Sequence, residues 1–546
     1  MPTISFSLKE LGKLVGKKIA KKDLDPLLEY AKAELDEVNG DEVFASMGDT
    51  NLPYLWSVEG IAILLKGILG VKTGLEKLNV VKSKDSIIVD DKLKSIRPYI
   101  SAFSVSGFKV DDDLLNQLIQ LQEKFCHTYG VRRKKVAIGI YNYDKIKFPV
   151  NYKAVDPESV QFVPLEFKRE MSLGEILESH PKGIEFKATL EGCSKYPLLI
   201  DSENNVLSFP PIINSNYSGK VDPGNSKLFF EATGTNKEAV QLAANIFAHA
   251  FALRGFKINS VDVEYGSKKE TYPQEFKDSI KLDVDYINKV LGTSLSEKQV
   301  ITLLKKMRYG FEKGKVLIPD YRLDIMHQVD IAEDVGIAFG YDNIKDNKLQ
   351  YYSTGDSLAI NKFIDKIREL VVGMGYQEVM SPILTNKNLL YDMTESKDFG
   401  TIEISNYMSE NYSVVRSWII PQLLDLLSKN KKEEYPQRIF EEGLVTSKKT
   451  LQDYDRLAVL TAHTKSDFTE VKQVLDYIMD SLKIKYEIKD AEHSSFIKGR
   501  VGRVYVNDKA VAYIGEINPQ VLENFGLQVP VAALELNLSD LYDSLK

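Results

Sequence analysis

The chain carries an acidic run whose spacing suits metal chemistry: Asp324, Asp330, Glu333 and Asp334. Three of these stand at i, i+3 and i+4, and the apolar residues Ile331, Val335 and Ala338 recur among them at helical spacing. A helix running from Asp330 puts the carboxylates of Asp330, Glu333 and Asp334 on one face. Asp324 lies six residues earlier, within reach of that face through the intervening turn. Carboxylates that face one another repel unless a cation or basic groups hold them. Mg²⁺ suits such a site, since it takes oxygen ligands and keeps several waters. The same spacing has a plainer reading: Asp330 as a helix N-cap, Glu333 as its capping-box partner, and Asp334 as a solvated first-turn acid. Spacing alone leaves both open.

Other catalytic patterns are missing. The sequence holds no Gly-x-x-x-x-Gly-Lys-Ser/Thr phosphate loop and no dinucleotide fingerprint. Its six histidines (His127, His180, His249, His327, His463, His493) show no zinc-ligand spacing. His249, in an apolar helical run, reads as a satisfied core residue, and His327 is placed to pair with an acid of its own stretch. Two cysteines, Cys126 and Cys193, are too few for a disulfide framework or a cysteine zinc site, which suits a reduced cytoplasm. A net charge of −7 argues against a surface basic throughout. The local patches Arg132-Arg-Lys-Lys135 and Lys429-Asn-Lys-Lys432 read more readily as solvated loops than as phosphate sites. No apolar run reaches the ~18 residues of a membrane span, and Met1-Pro-Thr-Ile-Ser-Phe6 lacks the form of a signal peptide.

A chain of 546 residues is long enough for three or four domains, each with its own core. Residues 1–82 read as a small packing domain. Ser7-Leu-Lys-Glu10 is a capping box before Leu8, Leu11, Leu14 and Val15, and a second helix after Asp25-Pro26 lines up Leu28, Ala31 and Leu35. Residues 86–265 alternate strand runs with helices. Leu114 to Thr128 is helical with Leu115, Leu118, Leu121 and Phe125 as its stripe, Val136 to Tyr141 is a strand, and Pro210 to Asn216 ends a strand in a polar turn. A strand from Leu228 to Thr235 and a helix from Lys237 to Leu253 follow. Residues 268–346 make a small α+β domain with a helix from Glu297 to Met307 capped by Ser296, and 346–356 is a polar linker. Residues 357–546 read as one α/β domain, with strands at Tyr376 to Met380 and Arg438 to Gly443 and a helix opened by Pro421.

The string Tyr321-Arg-Leu-Asp-Ile-Met-His-Gln-Val-Asp-Ile-Ala-Glu-Asp-Val-Gly-Ile-Ala-Phe-Gly-Tyr-Asp-Asn-Ile344 resembles the metal-carrying domain of phenylalanyl-tRNA synthetase β subunits of the archaeal and eukaryotic-cytosolic type. The resemblance implies that Asp324, Asp330, Glu333 and Asp334 bind Mg²⁺. Ile96-Arg-Pro-Tyr-Ile100, Lys134-Lys-Val-Ala-Ile-Gly-Ile140, Pro211-Ile-Ile-Asn-Ser215 and Glu231-Ala-Thr-Gly-Thr235 resemble the family's editing domain. Two departures stand out: Tyr141-Asn142 occupies the place of a His-Asp pair, and Leu52-Pro53-Tyr54 that of an Arg-Pro-Asp core. The strings Ser409 to Leu424, Arg438 to Gly443, Ser495 to Arg503 and Tyr513 to Gly526 are similar to the family's class II synthetase-like domain, which has that fold without its active site. Class II enzymes hold the ATP α-phosphate with Arg-x-Glu. Here Arg438 and Glu441 are three apart, which puts them on opposite faces of a strand.

The fold expected is therefore α/β and α+β multidomain: a small N-terminal domain, an editing-type α/β domain with tRNA contact, a small α+β metal-carrying domain and an antiparallel, catalytically inactive class II-like domain. The resemblance implies the β subunit of an α2β2 phenylalanine–tRNA ligase in the cytoplasm, without membrane or DNA partners and without the C-terminal RNA-recognition domain of bacterial β subunits. The α subunit would bind ATP and L-phenylalanine and carry the ligation chemistry. This chain would supply scaffold, the Mg²⁺ site, tRNA(Phe) contacts and hydrolysis of tyrosine misattached to tRNA(Phe). Asn214, Ser215, Asn216, Thr233 and Thr235 end neighbouring strand runs and are expected to line that editing pocket, although turns use such residues for their own backbone. The rivals are a stand-alone RNA- or protein-binding scaffold and a free editing hydrolase. Dependence on a partner chain separates them.

Overall fold

The computed structural model describes residues 2–49, 51–346 and 352–545, so residues 347–351 of the expected linker lie outside it. The chain divides into two compact units, Met1–Lys348 and Leu349–Lys546.

The first unit opens with a three-stranded antiparallel sheet of Thr3–Ser7, Glu42–Met47 and Ala33–Asn39. Ser7 caps the helix Leu8–Val15 through the Glu10 amide, as expected. The Glu10 carboxylate does not close the box; it takes the Arg254 guanidinium at 2.9 Å. The second expected helix lies earlier, with Pro26 inside it and not before it. It spans Lys21–Glu29, the chain turns at Lys32 in a left-handed conformation (φ 53°), and Leu35 lies on the strand Ala33–Asn39.

The largest sheet of this unit has eleven strands. Next to one edge of it, Lys227–Gly234 lies antiparallel between Tyr99–Ser106 and the edge strand Val136–Asn142. A strand alternates its side chains between faces. Leu228, Phe230 and Ala232 join one core, against the buried helix Lys237–Leu253. Phe229, Glu231 and Thr233 take the other side. The helix Asp112–His127 packs through Leu114, Leu118, Leu121 and Phe125; Leu115, expected in that stripe, is only half-buried. Toward the end of this unit, Ser279–Lys281, Lys315–Leu317 and Gly310–Glu312 form a small sheet. It is joined by the helices Val284–Leu291, Glu297–Lys306 and Gln328–Phe339. Ser296 and Gln299 form a complete capping box on the second of these. One apolar core runs from Ile4 to Ala338, so the three segments expected as separate domains share buried surface.

The second unit is a seven-stranded sheet in the order Gln377–Glu378, Gln437–Ser447, Gln452–Ala462, Val531–Asn537, Lys509–Ile517, Phe496–Val506, Glu487–Asp490. Its pairings are antiparallel except the first. Helices Ala359–Gly373 and Phe468–Leu482 pack into one core, and Ile420–Lys429, with Pro421 in its first turn, packs into the other.

Candidate functional site

In this chain the four expected magnesium ligands are held by basic groups and amides and do not converge on one point. The helix begins at Gln328, two residues before Asp330, with His327 as its N-cap. Asp330 is therefore the third helical residue, and its Oδ2 reaches back to accept from the amides of Met326 (2.8 Å) and His327 (2.7 Å). This is a capping box one turn earlier than Asp330 with Glu333. His327 spends its ring nitrogen on the Val329 amide at 3.2 Å, not on an acid.

Asp334 is buried and accepts from the Tyr309 phenol and from Arg322 at 2.5 Å. The same guanidinium grips the Asp324 carboxylate from its other edge, with Nε 3.0 Å from Oδ1. Burial favours loss of the Arg322 proton. The facing charges of Asp334 and Asp324 outweigh it and hold the guanidinium well above its ordinary pKa. Glu333 points elsewhere, to Lys32 at 2.7 Å. Asp324 and Asp334 thus meet around an arginine, while Asp330 and Glu333 face other partners. Among the described residues no three His, Cys, Asp or Glu side chains are grouped to hold a metal ion. The buried Arg322 guanidinium occupies the space between Asp324 and Asp334.

A second site lies on the large sheet. A cavity of about 630 Å³ opens where Glu231 and Thr233 of the strand Lys227–Gly234 face the turn bearing Asn214 and Asn216. Its walls are apolar at Ile138, Leu165 and Phe209, and Lys168 and Lys182 also line it. That volume is in the range of small-molecule sites. Thr233 is held by the buried Arg97, whose Nε donates to its Oγ1 at 3.0 Å and whose second nitrogen reaches its carbonyl at 2.5 Å. Arg133 stacks 4.1 Å over Phe186 and donates to the carbonyls of Pro211 (3.1 Å) and Ile212 (2.8 Å), securing the turn before Asn214. Arg133 is thus no solvated loop charge.

Three of the five expected pocket residues line the cavity: Asn214, Asn216 and Thr233. Ser215 and Thr235 do not. The Ser215 hydroxyl accepts the Tyr217 amide at 3.1 Å, and the Thr235 hydroxyl donates to the Lys134 carbonyl at 3.2 Å. Both act as ordinary turn residues, as the plainer reading allowed. Sequence reasoning missed Glu231. Strand periodicity held the signal, since Glu231 lies two residues before Thr233 and shares its face. Glu231 is 3% exposed; its Oε1 accepts the Tyr141 phenol at 2.8 Å, and its Oε2 has no hydrogen-bond partner among the described residues. Burial pushes its pKa up to about 7, against the pull of the Tyr141 hydrogen bond and the Arg97 charge.

In the second unit Arg438 and Glu441 part as the strand alternation requires. Arg438 pairs with Glu470 at 2.8 Å, while Glu441 is buried against Arg416 at 2.6 Å and Ser381 at 2.6 Å. They share no phosphate site. His249 is a core residue bonded to Asp320 at 2.6 Å, as expected. No helix among the described residues is long and apolar enough to cross a membrane.

Two family models match the chain: the tRNA synthetase B5 domain over residues 280–341 and the phenylalanyl tRNA synthetase beta chain CLM domain over residues 344–538. The phenylalanine–tRNA ligase beta subunit of Pyrococcus horikoshii is 44% identical over 556 residues, covering 99% of this chain and 100% of the relative. That of Archaeoglobus fulgidus is 36% identical over 558 residues, covering 100% and 99%. The crystal structure of an N-terminal fragment of the Pyrococcus horikoshii phenylalanyl-tRNA synthetase beta subunit aligns with a TM-score of 0.60 at 44% identity, over 62% of this chain and all of the fragment. With likeness along its whole length, the chain belongs to the phenylalanine–tRNA ligase β-subunit family.

Proposed function

We propose that this β subunit works in a cytoplasmic α2β2 ligase and that its large-sheet cavity hydrolyses tyrosine misattached to tRNA(Phe). The observation that carries the reading is the unpartnered Oε2 of Glu231, a residue that lines that cavity. An apolar phenylalanine pocket rejects an added hydroxyl by only ~10², so a ligase for phenylalanine needs a second selection against tyrosine. A buried acceptor with a free lone pair supplies it. Tyrosine's phenol satisfies Oε2, whereas phenylalanine leaves that buried oxygen without a partner, a difference of about 1–3 kcal/mol. Asn214, Asn216 and Thr233 add polar contacts around the same space. Water then cleaves the ester, releasing tyrosine and the free ribose hydroxyl. The cavity's work in this reading is to select and orient the aminoacyl group.

The split between Arg438 and Glu441 supports placing ATP, L-phenylalanine and adenylate formation on the α subunit. The Mg²⁺ of the reaction belongs there with ATP, whose phosphates supply oxygen ligands. The test is deacylation of tyrosyl-tRNA(Phe) by the assembled complex, beside Glu231→Gln. Wild-type complex should clear tyrosyl-tRNA, and the variant should lose its preference for tyrosine over phenylalanine. Tyrosyl-tRNA that survives with the wild-type complex as long as in buffer would leave this region a tRNA-binding scaffold.

A further inference from the structure

The strand beneath the cavity explains why one oxygen of Glu231 is free. We propose that Tyr141 is the positioning residue that makes Glu231 a one-sided acceptor, working in space that Gly139 leaves open; the inference rests on the editing reading above. Gly139 pairs directly with Glu231 across the two strands, and Tyr141 pairs with Phe229. Residues 139 and 141 share a face, and the Tyr141 phenol comes back over Gly139 to meet Glu231. A Cβ at position 139 would lie 2.2 Å from the Tyr141 hydroxyl and 2.6 Å from Glu231 Oε1. The backbone there needs no left-handed conformation, so the glycine serves space alone.

Tyr141 is fully buried, does not line the cavity and packs its ring 6.0 Å from that of Phe229. A phenol has one proton to give. That proton goes to Oε1 at 2.8 Å, with Asn214 Oδ1 farther off at 3.4 Å. The carboxylate is thereby fixed in one rotamer, with Oε2 left over. An incoming phenol and the resident phenol then share a single carboxylate, one on each oxygen. A phenylalanyl ring has nothing to place there. Without the resident phenol, Glu231 keeps two unsatisfied oxygens in a buried setting, gains affinity for a proton and loses its fixed aim. Besides Tyr141, the group whose charge acts on Glu231 is the Arg97 guanidinium, and the charge of Glu231 acts in turn on Tyr152 and Cys126. Burial holds the Tyr152 phenol and the Cys126 thiol above their ordinary pKa values, the latter at about 11, so Arg97 is the fixed charge.

The experiment compares wild type, Tyr141→Phe and Gly139→Ala as assembled complexes. Deacylation of tyrosyl- and phenylalanyl-tRNA(Phe) is followed from about pH 6 to about pH 9, with kcat and KM separated. Tyr141→Phe keeps the ring and removes the hydroxyl, and phenylalanine charging reports that each complex has assembled. The preference for tyrosyl-tRNA should fall roughly tenfold in Tyr141→Phe. The pH midpoint of that preference should move upward. Gly139→Ala should lose the same preference by displacing the phenol. Wild-type discrimination with an unmoved midpoint in Tyr141→Phe overturns this inference and leaves the editing reading standing. A wild-type complex that does not deacylate tyrosyl-tRNA overturns both.

Discussion

Asp334 and Glu231 are equally buried, each 3% exposed. Asp334 meets a guanidinium and a phenol, and Arg322 between it and Asp324 is itself matched on two edges. Glu231 meets one phenol, and its second oxygen meets nothing among the described residues. Both sit in one folded unit, so the difference is not one of burial or of surrounding stability. A buried carboxylate whose charge is matched by a guanidinium is held in place. A buried acid with one oxygen left over is destabilising as it stands, and a ligand can relieve that penalty. The functional candidate is the incomplete one.

The sharpest way to break this contrast is to make the Asp334 cluster incomplete. Arg322→Met should destabilise the first unit by about 3–5 kcal/mol, because two buried carboxylates lose their common cation. Denaturant unfolding would read this. The deficit should shrink as pH falls, since protonating the stranded acids removes their charge. A loss under about 1 kcal/mol would mean that the cluster tolerates incompleteness as the cavity does.

The converse change completes Glu231 by removing its charge. Its folded pKa of about 7 lies above the ordinary 4.5, so the native chain binds more protons than the unfolded chain in that window. Wild-type stability should therefore fall as pH rises from about 4.5 to about 7 and stay level above. Glu231→Gln lacks this term. Its stability relative to wild type should grow across the same window, to no more than about 3 kcal/mol. Parallel pH profiles of the two proteins would remove the pKa argument for an unsatisfied acid.

Lys32 offers a milder version of the comparison, pairing with Glu333 and Asp49 at 2.7 Å each on partly exposed side chains. Lys32→Ala should cost less than about 1 kcal/mol, and less still in high salt. Smallest of all is the effect of metal removal. Dialysis of the isolated β subunit against a chelator should leave its melting temperature unchanged, because Arg322 fills the place between Asp324 and Asp334. A drop in melting temperature, restored by Mg²⁺, would bear out a Mg²⁺ site on this chain.

Much of the fold was legible because its causes are local. Ser7 and Ser296 cap helices with the amides three residues on, Pro421 enters a first turn, and alternation separates Arg438 from Glu441. Alternation also ties Glu231 to Thr233. The short strings that resemble the β-subunit family point to the same identity as the full-length relatives. What no local pattern decides is whom a side chain meets. Arg322 reaches Asp334 twelve residues away, Lys32 reaches Glu333 across 301, and Tyr141 reaches Glu231 across 90. The spacing of Asp330, Glu333 and Asp334 fixed which helix they occupy but not their direction, since His327 started the helix two residues earlier than expected. Helix and strand follow from neighbours within a turn or a pleat, so sequence determines them. Whether a buried carboxylate finds a cation, an amide or nothing depends on which distant segments pack against it, and that only the tertiary structure settled.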